Sequence, residues 1–247
     1  MSVDKIIQDP REAQEALKKL YKPGKQSVFF GGAGVSTASG IPDFRSEDGL
    51  YRQQFDYPPE VMLSHSFYVS HKEEFFDFYR TKMIALDAKP NACHYKLAEL
   101  EEQGMLSAVV TQNIDGLHQM AGSKRVYELH GSVHRNMCRR CGRVLSAQWI
   151  CDHPGIPVCP ECGGEIKPDV VLYEEPLNDK ILLGAINAIS QADTLVIGGT
   201  SLVVYPAAGL TQYFQGDKLV ICNMDPTSQD ASADILISCD IAAAYQF

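Results

Sequence analysis

No apolar run in this 247-residue chain approaches the ~20 residues that a membrane span requires, so a membrane is not expected as a partner. The N-terminal stretch, Met1 to Lys25, is charged and helical in pattern, and it lacks the hydrophobic core of a signal peptide. Positive charge is also scarce: 22 Lys and Arg face 31 Asp and Glu, for a formal net charge of −9. That balance argues against nucleic acid, whose phosphates need a basic face. It suits a basic, lysine-bearing partner, although acidic surfaces also serve plain solubility. There are no internal repeats and no low-complexity stretch. A disulfide framework is absent too. Four of the eight cysteines fall in two C-x-x-C pairs, and in an acidic chain with no export signal this pattern points to metal in a reducing, cytoplasmic setting.

The chain does have the length and the 45% hydrophobic content to bury a full core. Its organising stretch is Gly31 to Ser46, GGAGVSTASGIPDFRS, which follows the strand-like run Ser27-Val28-Phe29-Phe30. A buried strand entering Gly32-Ala33-Gly34 and a small-residue helix start is a dinucleotide-site opening. Glycines turn tightly and approach a pyrophosphate, and the N–H groups of the following helix face its charge. The third glycine of the G-x-G-x-x-G fingerprint is replaced by Thr37, and a structural turn explains such a half-match as well. Gly40 and Pro42 stop any helix quickly, leaving Asp43, Phe44 and Arg45 on a loop beside that turn.

Asp9 and Pro10 read as the N-cap and first position of a helix over 9–22, and Asn91 caps another to Gln103, on which His94 reads as a satisfied interface residue. Between them lies an aromatic stretch with Phe67, Tyr68, Phe75, Phe76, Phe78 and Tyr79, broken by Pro58 and Pro59, which reads as a small helical subdomain with its own core. Leu106–Val110 reads as a strand running into Gln112-Asn113-Ile114-Asp115, the position where parallel sheets bind ligands, though a surface turn carries the same residues. Val126 to Ser132 reads as a short strand ending in His130 beside Gly131, a histidine placed at a strand end for proton transfer. His118, His134 and His153 have weaker claims.

Cys138 and Cys141 are followed, after seventeen residues, by Cys159 and Cys162. Two such knuckles form a strong structural-zinc signature, because four thiolates complete a tetrahedral shell and leave no open position. Cys151 and His153 lie between the pairs at spacings wrong for a knuckle. Cys93, Cys222 and Cys239 sit in apolar surroundings as inert core thiols. The extended segment Val170, Val171, Leu172, Tyr173 then suits pairing with a peptide by strand addition, or serves as an ordinary sheet strand. After a helix over 178–190, the strand 194–197 enters Gly199-Thr200-Ser201, whose hydroxyls and N–H groups suit ribose and phosphate. Further strands end at Asn223 and just before Asp240. Strands alternating with helices give a Rossmann-like, mostly parallel α/β sheet, with a smaller domain made of a zinc ribbon and a helical insertion.

GGAGVS…GIPDFRS, TQNID, ELHG, the paired C-x-x-C knuckles and the second-half GTS turn, in this order from Phe29 to Asp240, resemble the sirtuin family of NAD-dependent protein-lysine deacylases. The resemblance implies one catalytic unit over 1–247. Its Rossmann part comprises about 1–46, 88–133 and 168–247, the helical insertion about 47–87 and the zinc-ribbon insertion about 134–167. It also implies that NAD is consumed. The acyl oxygen of a lysine attacks the ribose C1′ as nicotinamide leaves, and His130 takes a proton through the ribose hydroxyls. Free lysine, nicotinamide and O-acetyl-ADP-ribose are released. Asn113 would order the ribose or a water, Ile114 and Asp115 would hold the nicotinamide carboxamide, Phe44 would shield C1′ and Arg45 would meet the phosphates. Asn223 would reach the adenosine ribose and Asp240 would lie near the adenine, while residues 170–173 would carry the peptide. The family usually has glycine where this chain has Glu174, a departure that bears on loop shape and peptide preference.

Relatives that prefer succinyl or malonyl groups carry Tyr-x-x-Arg, and here the nearest match is Tyr79 to Lys82. An aromatic, largely uncharged pocket favours acetyl, with desuccinylation or another deacylation, and protein mono-ADP-ribosyl transfer, as alternatives. A non-catalytic sensor of NAD or acyl-lysine is disfavoured by the presence of Asn113, Asp115 and His130.

Overall fold

The computed structural model describes residues 5–43 and 57–247. Ten strands and nine α-helices follow one another along the chain among these residues. In order they are β1 (Lys5–Ile7), α1 (Pro10–Leu20), β2 (Ser27–Gly31), α2 (Pro59–Met62), α3 (His65–Ser70), α4 (Lys72–Phe78), α5 (Ala92–Glu102), β3 (Ala108–Thr111), α6 (Leu117–Ala121) and β4 (Val126–Glu128). There follow β5 (Gly131–Cys138), β6 (Val144–Leu145), α7 (Ala147–Asp152), β7 (Ile166–Val170), α8 (Asp179–Ser190), β8 (Thr194–Gly198), β9 (Lys218–Cys222), β10 (Ile235–Ile237) and α9 (Ile241–Ala244).

Seven strands form one parallel sheet in the order β1-β10-β9-β8-β2-β3-β4. Pleating sends alternate residues to opposite faces. Phe29, Val109, Val196 and Val220 meet α1, α5 and α9 on one side, and Val28, Phe30, Val110, Ile197 and Ile221 meet α8 on the other. Burial of each such large side chain contributes roughly 1.5–3 kcal/mol. The strands are apolar on both faces because helices cover both. The chain leaves β2 for β3 on one side and leaves β8 for β9 on the other, so the crevice at the carboxyl ends of β2 and β8 is the sheet's topological switch point.

A second sheet of three antiparallel strands, β6-β5-β7, carries the cysteine knuckles. The helical segment does not keep a core to itself. Phe67, Phe75, Phe76 and Tyr79 pack with Val133, Ile150 and Ile166 in one cluster shared by α3, α4 and the ribbon. Arg80 closes the seam by donating to the carbonyls of Ile150, His153 and Gly155.

Two local expectations are corrected. The N-terminal stretch contributes β1, a parallel edge strand on β10, ahead of its helix. The glycine loop after β2 continues as two 3₁₀ turns, Ala33–Val35 and Thr37–Ser39, and Gly40 closes them at φ 82°. Thr37, Ser39 and Gly40 in place of strong helix formers, followed by Pro42, give an α-helix no room to propagate.

Candidate active site

A cavity of about 410 Å³ opens at the switch point. Gly32, Ala33, Gly34, Thr37 and Asp43 line it from the loop after β2, and Gln112, Asn113, Ile114 and Asp115 from the loop after β3. Gly199, Thr200 and Ser201 after β8, Asn223 after β9, and Asp240 after β10 complete its far side. Phe44 and Arg45 lie outside the described residues.

The glycines work here by packing loop against loop. The N–H groups of Gly32 and Gly34 donate to the carbonyls of Gly198 and Gly199, at 3.1 and 2.8 Å. A Cβ on Gly34 would meet the Gly199 Cα at 2.8 Å, and one on Gly199, at φ 59°, would meet the Val35 nitrogen at 2.4 Å. These two N–H groups are therefore spent on joining the sheet's halves. Across the same seam Gln112 Nε2 donates to Thr200 Oγ1 at 3.0 Å.

At the deep end three polar side chains are locked together. Asn113 Nδ2 donates to Ser36 Oγ at 3.1 Å, and Ser36 Oγ donates to Asp115 Oδ2 at 2.7 Å. Asp115 Oδ1 accepts the Leu117 N–H at 2.9 Å, and the Asp115 carbonyl lies 2.8 Å from His134 Nε2. Asn91 braces the other wall by donating Nδ2 to the Val35 carbonyl and to Ser39 Oγ. Sequence alone does not single out Ser36 and Asn91 as site residues and gives His134 only a weak claim. Ser36 lies inside the GGAGVS motif and Asn91 follows Pro90, so the signals were present, but the partners are far apart in the chain.

Behind Asp115, His94 and His118 pack with ring centroids 4.7 Å apart. His94 accepts the Asn91 N–H at Nδ1, so its proton sits on Nε2, which has no partner among the described residues. His118 is 1% exposed with neither ring nitrogen partnered there. His94 is thus only half satisfied, a correction to its sequence reading. Burial pushes the His94 pKa down to about 4 against the opposing pull of Asp115, and pushes His118 down to about 3, with His94 adding to the effect.

His130 stands where β4 hands over to β5. Its Nδ1 lies 2.9 Å from the Gln112 carbonyl, which fixes the proton on Nδ1 and leaves Nε2 as the basic nitrogen beside the cavity. Burial lowers its pKa, with the Gln112 bond acting in the opposite direction. Gly131 is required next to it: at φ 75° it passes so close to β7 that a Cβ would lie 1.9 Å from the Asp169 carbonyl.

Val170, Val171, Leu172 and Tyr173 form the wall opposite the sheet. The Val171 N–H donates to the His130 carbonyl at 3.0 Å, and Tyr173 pairs with Leu63 and His65 of the helical segment. Glu175 accepts from the Leu172 N–H and from Lys167 Nζ, both at 3.0 Å, and meets His65 Nδ1 at 2.8 Å. Burial opposes its ionisation, and these bonds outweigh burial and lower its pKa. Lys82 and Met83 line the cavity, whereas Tyr79 is 1% exposed with its hydroxyl on Val133 and Asn136. Tyr79 and Lys82 therefore do not act as a pair toward one group.

The Sγ atoms of Cys138, Cys141, Cys159 and Cys162 all lie within 4.8 Å of one another, with Cys138 and Cys162 at 3.4 Å and Cys141 and Cys159 at 3.7 Å. Four sulfurs at about 2.3 Å from one ion stand roughly 3.8 Å apart in a tetrahedron, so the donor set fits Zn²⁺ and saturates it. Backbone N–H groups of Arg140 and Cys141 point at Cys138 Sγ, as a thiolate ligand requires. Cys151 and His153 lie outside the cluster.

A Rossmann-like sheet with its cavity at the switch point, a histidine of fixed tautomer and a four-cysteine ribbon define a dinucleotide-dependent α/β protein with a structural zinc module. The family model described as "Sir2 family" matches residues 32–206. The chain belongs to this family. It is 61% identical over 233 residues to an NAD-dependent protein deacetylase of Clostridium acetobutylicum, covering 93% of this chain and 95% of that one. It is 54% identical over 235 residues to one of Clostridium tetani, covering 94% and 95%. Among solved structures, a Sir2 variant with deacetylated p53 peptide and 3′-O-acetyl ADP ribose superposes with a TM-score of 0.86 at 38% identity, covering 94% of this chain and 96% of the other. A Sir2–p53 peptide–NAD⁺ complex gives 0.83 at 38% identity, covering 94% and 95%.

Proposed function

We propose that this protein removes acetyl groups from lysine side chains of proteins, consuming NAD and releasing free lysine, nicotinamide and O-acetyl-ADP-ribose. The observation that carries this reading is His130, whose unprotonated Nε2 borders a cavity shared by the sheet's strand-end loops and the extended segment 170–173. NAD, when bound, supplies the electrophilic ribose carbon from which nicotinamide departs. The loops after β2 and β8 would hold its phosphates and inner ribose, and Asn223 and Asp240 would lie toward its adenosine end. Ser36 orients Asn113 and Asp115 together, so that Asn113 positions ribose or water and Asp115, with Ile114, holds the carboxamide. His130 would accept at Nε2 the proton that the ribose hydroxyls give up.

An acetylated peptide pairs with the extended segment 170–173 by strand addition. Tyr79 is turned into the core, so the Tyr-x-x-Arg type of carboxylate grip does not form, and this supports acetyl over succinyl. Among the described residues no helix is long and apolar enough to cross a membrane. We place the protein in the cytoplasm, where reducing conditions keep the ribbon thiols available to zinc.

Mass spectrometry of acetyl-lysine and succinyl-lysine peptides, with and without NAD, tests the reading. NAD-dependent loss of acetyl is expected, with His130→Ala slowing it by about 10²–10⁴-fold. Consumption of NAD with neither peptide altered would overturn it in favour of ADP-ribosyl transfer.

A further inference from the structure

Glu174 is one of two described non-glycine residues with positive φ, at 74°. Left-handed backbone is unfavourable for a residue that carries a Cβ, so it persists only where surrounding contacts hold it. Those contacts can be named. Glu174 Oε2 accepts the backbone N–H of Ser66 at 2.9 Å and the Ser66 hydroxyl at 2.6 Å. Both bonds lower the carboxyl pKa, so the clasp is an anion at neutral pH. One residue earlier, Tyr173 donates its N–H to the Leu63 carbonyl at 2.9 Å and accepts the His65 N–H at 3.0 Å. The chain from Val171 to Glu174 is thus strung between the His130 carbonyl and the first turn of α3. The side chain lies at the surface at the cavity edge, where it buries little and supports no core.

We infer that Glu174 is a positioning residue for the substrate peptide: its carboxylate, seated on Ser66, holds the left-handed turn that ends the extended segment 170–173 and sets that segment's height above His130. The inference rests on the deacetylase reading. The clasp joins the segment to α3 and leaves the cofactor loops after β2, β3 and β8 untouched, so its loss acts on peptide and not on NAD.

Steady-state kinetics with an acetyl-lysine peptide and NAD, together with binding of a fluorescent acetyl-lysine peptide and melting temperatures, test this. Glu174→Ala is expected to raise the peptide KM and Kd about 3- to 10-fold, as loss of an exposed charge-assisted pair requires, with kcat and the NAD KM within about twofold. Glu174→Gln, which can still accept from Ser66, is expected to recover most of the loss. Glu174→Gly separates clasp from backbone shape, since glycine relieves the left-handed strain without restoring the bonds. A KM as high as that of the alanine variant supports the clasp, and a wild-type KM overturns it. Ser66→Ala combined with Glu174→Ala is expected to be no worse than Glu174→Ala alone, and full additivity also overturns the proposal. So does a fall in kcat that tracks melting temperature across all variants, which would be a purely structural role. Peptide binding that depends on Glu174 without any NAD-dependent turnover would sustain this inference while overturning the deacetylase reading.

Discussion

Burial lowers the affinity of His130 for a proton, the Nδ1–H bond to Gln112 raises it, and burial wins. A base is useful only when it is unprotonated, so the direction has a kinetic consequence. The acid limb of kcat/KM is expected below the ~6.5 of an ordinary histidine, and activity at pH 6 is retained. A pH–rate profile on an acetyl-lysine peptide checks this, and an acid limb at or above 6.5 would refute it. The same shift makes His130 a cost to the fold in acid: its unfolded form takes up protons first, so stability falls as pH drops below the unfolded value. His130 itself was legible in the sequence because ELHG concentrates the signal in adjacent residues. Ser36, Asn91 and His134 were less legible, since their bonds reach partners 79, 56 and 19 residues away, and only the sheet brings those ends together.

Elements whose signals are local were read to within a residue or two. Asp9 accepts the Glu12 N–H at the start of α1, and Asn91 caps α5, both from side-chain chemistry written in the sequence. β1 escaped because three residues show no period and become a strand only by pairing with β10, more than two hundred positions later. The ribbon was legible from cysteine spacing alone, but the way it shares one core with α3 and α4 was not, because the aromatic cluster is assembled from both insertions. That shared core makes zinc removal a wider event than loss of one ion. Structural zinc sites contribute on the order of 10 kcal/mol to their modules. Trp149, the single tryptophan, sits in α7 stacked on His153 and reports on the ribbon directly. Treatment with a strong chelator is expected to red-shift its emission, lower the melting temperature and abolish deacetylation, with zinc restoring all three. Unchanged emission and melting after verified metal removal would show that the ribbon stands without it.

At the scale of the whole molecule, the chain is anionic at neutral pH and keeps a neutral histidine pair in its interior. Folded His94 and His118 titrate at about 4 and about 3, against an ordinary 6.5. Between those values the unfolded chain binds protons that the folded chain refuses, so acidification favours unfolding and raising the pH restores stability. Each such group contributes about 1.4 kcal/mol per pH unit once it is well inside the window, so the pair lowers stability by on the order of 3–4 kcal/mol between pH 7 and pH 5. The carboxylates of Glu165 and Glu175, whose pKa values are lowered by their partners, add loss of the same sign only at lower pH. Urea unfolding at pH 7 and pH 5 is therefore expected to show a marked drop in stability over a range where few carboxylates titrate. His118→Leu removes one member of the pair and keeps the site apolar against Phe29. It is expected to remove about half of the pair's share of that pH dependence and to leave the shares of His94 and His130, because one proton-binding site per unfolded chain disappears. If the slope of stability against pH were the same in the variant, the buried pair would not be its source.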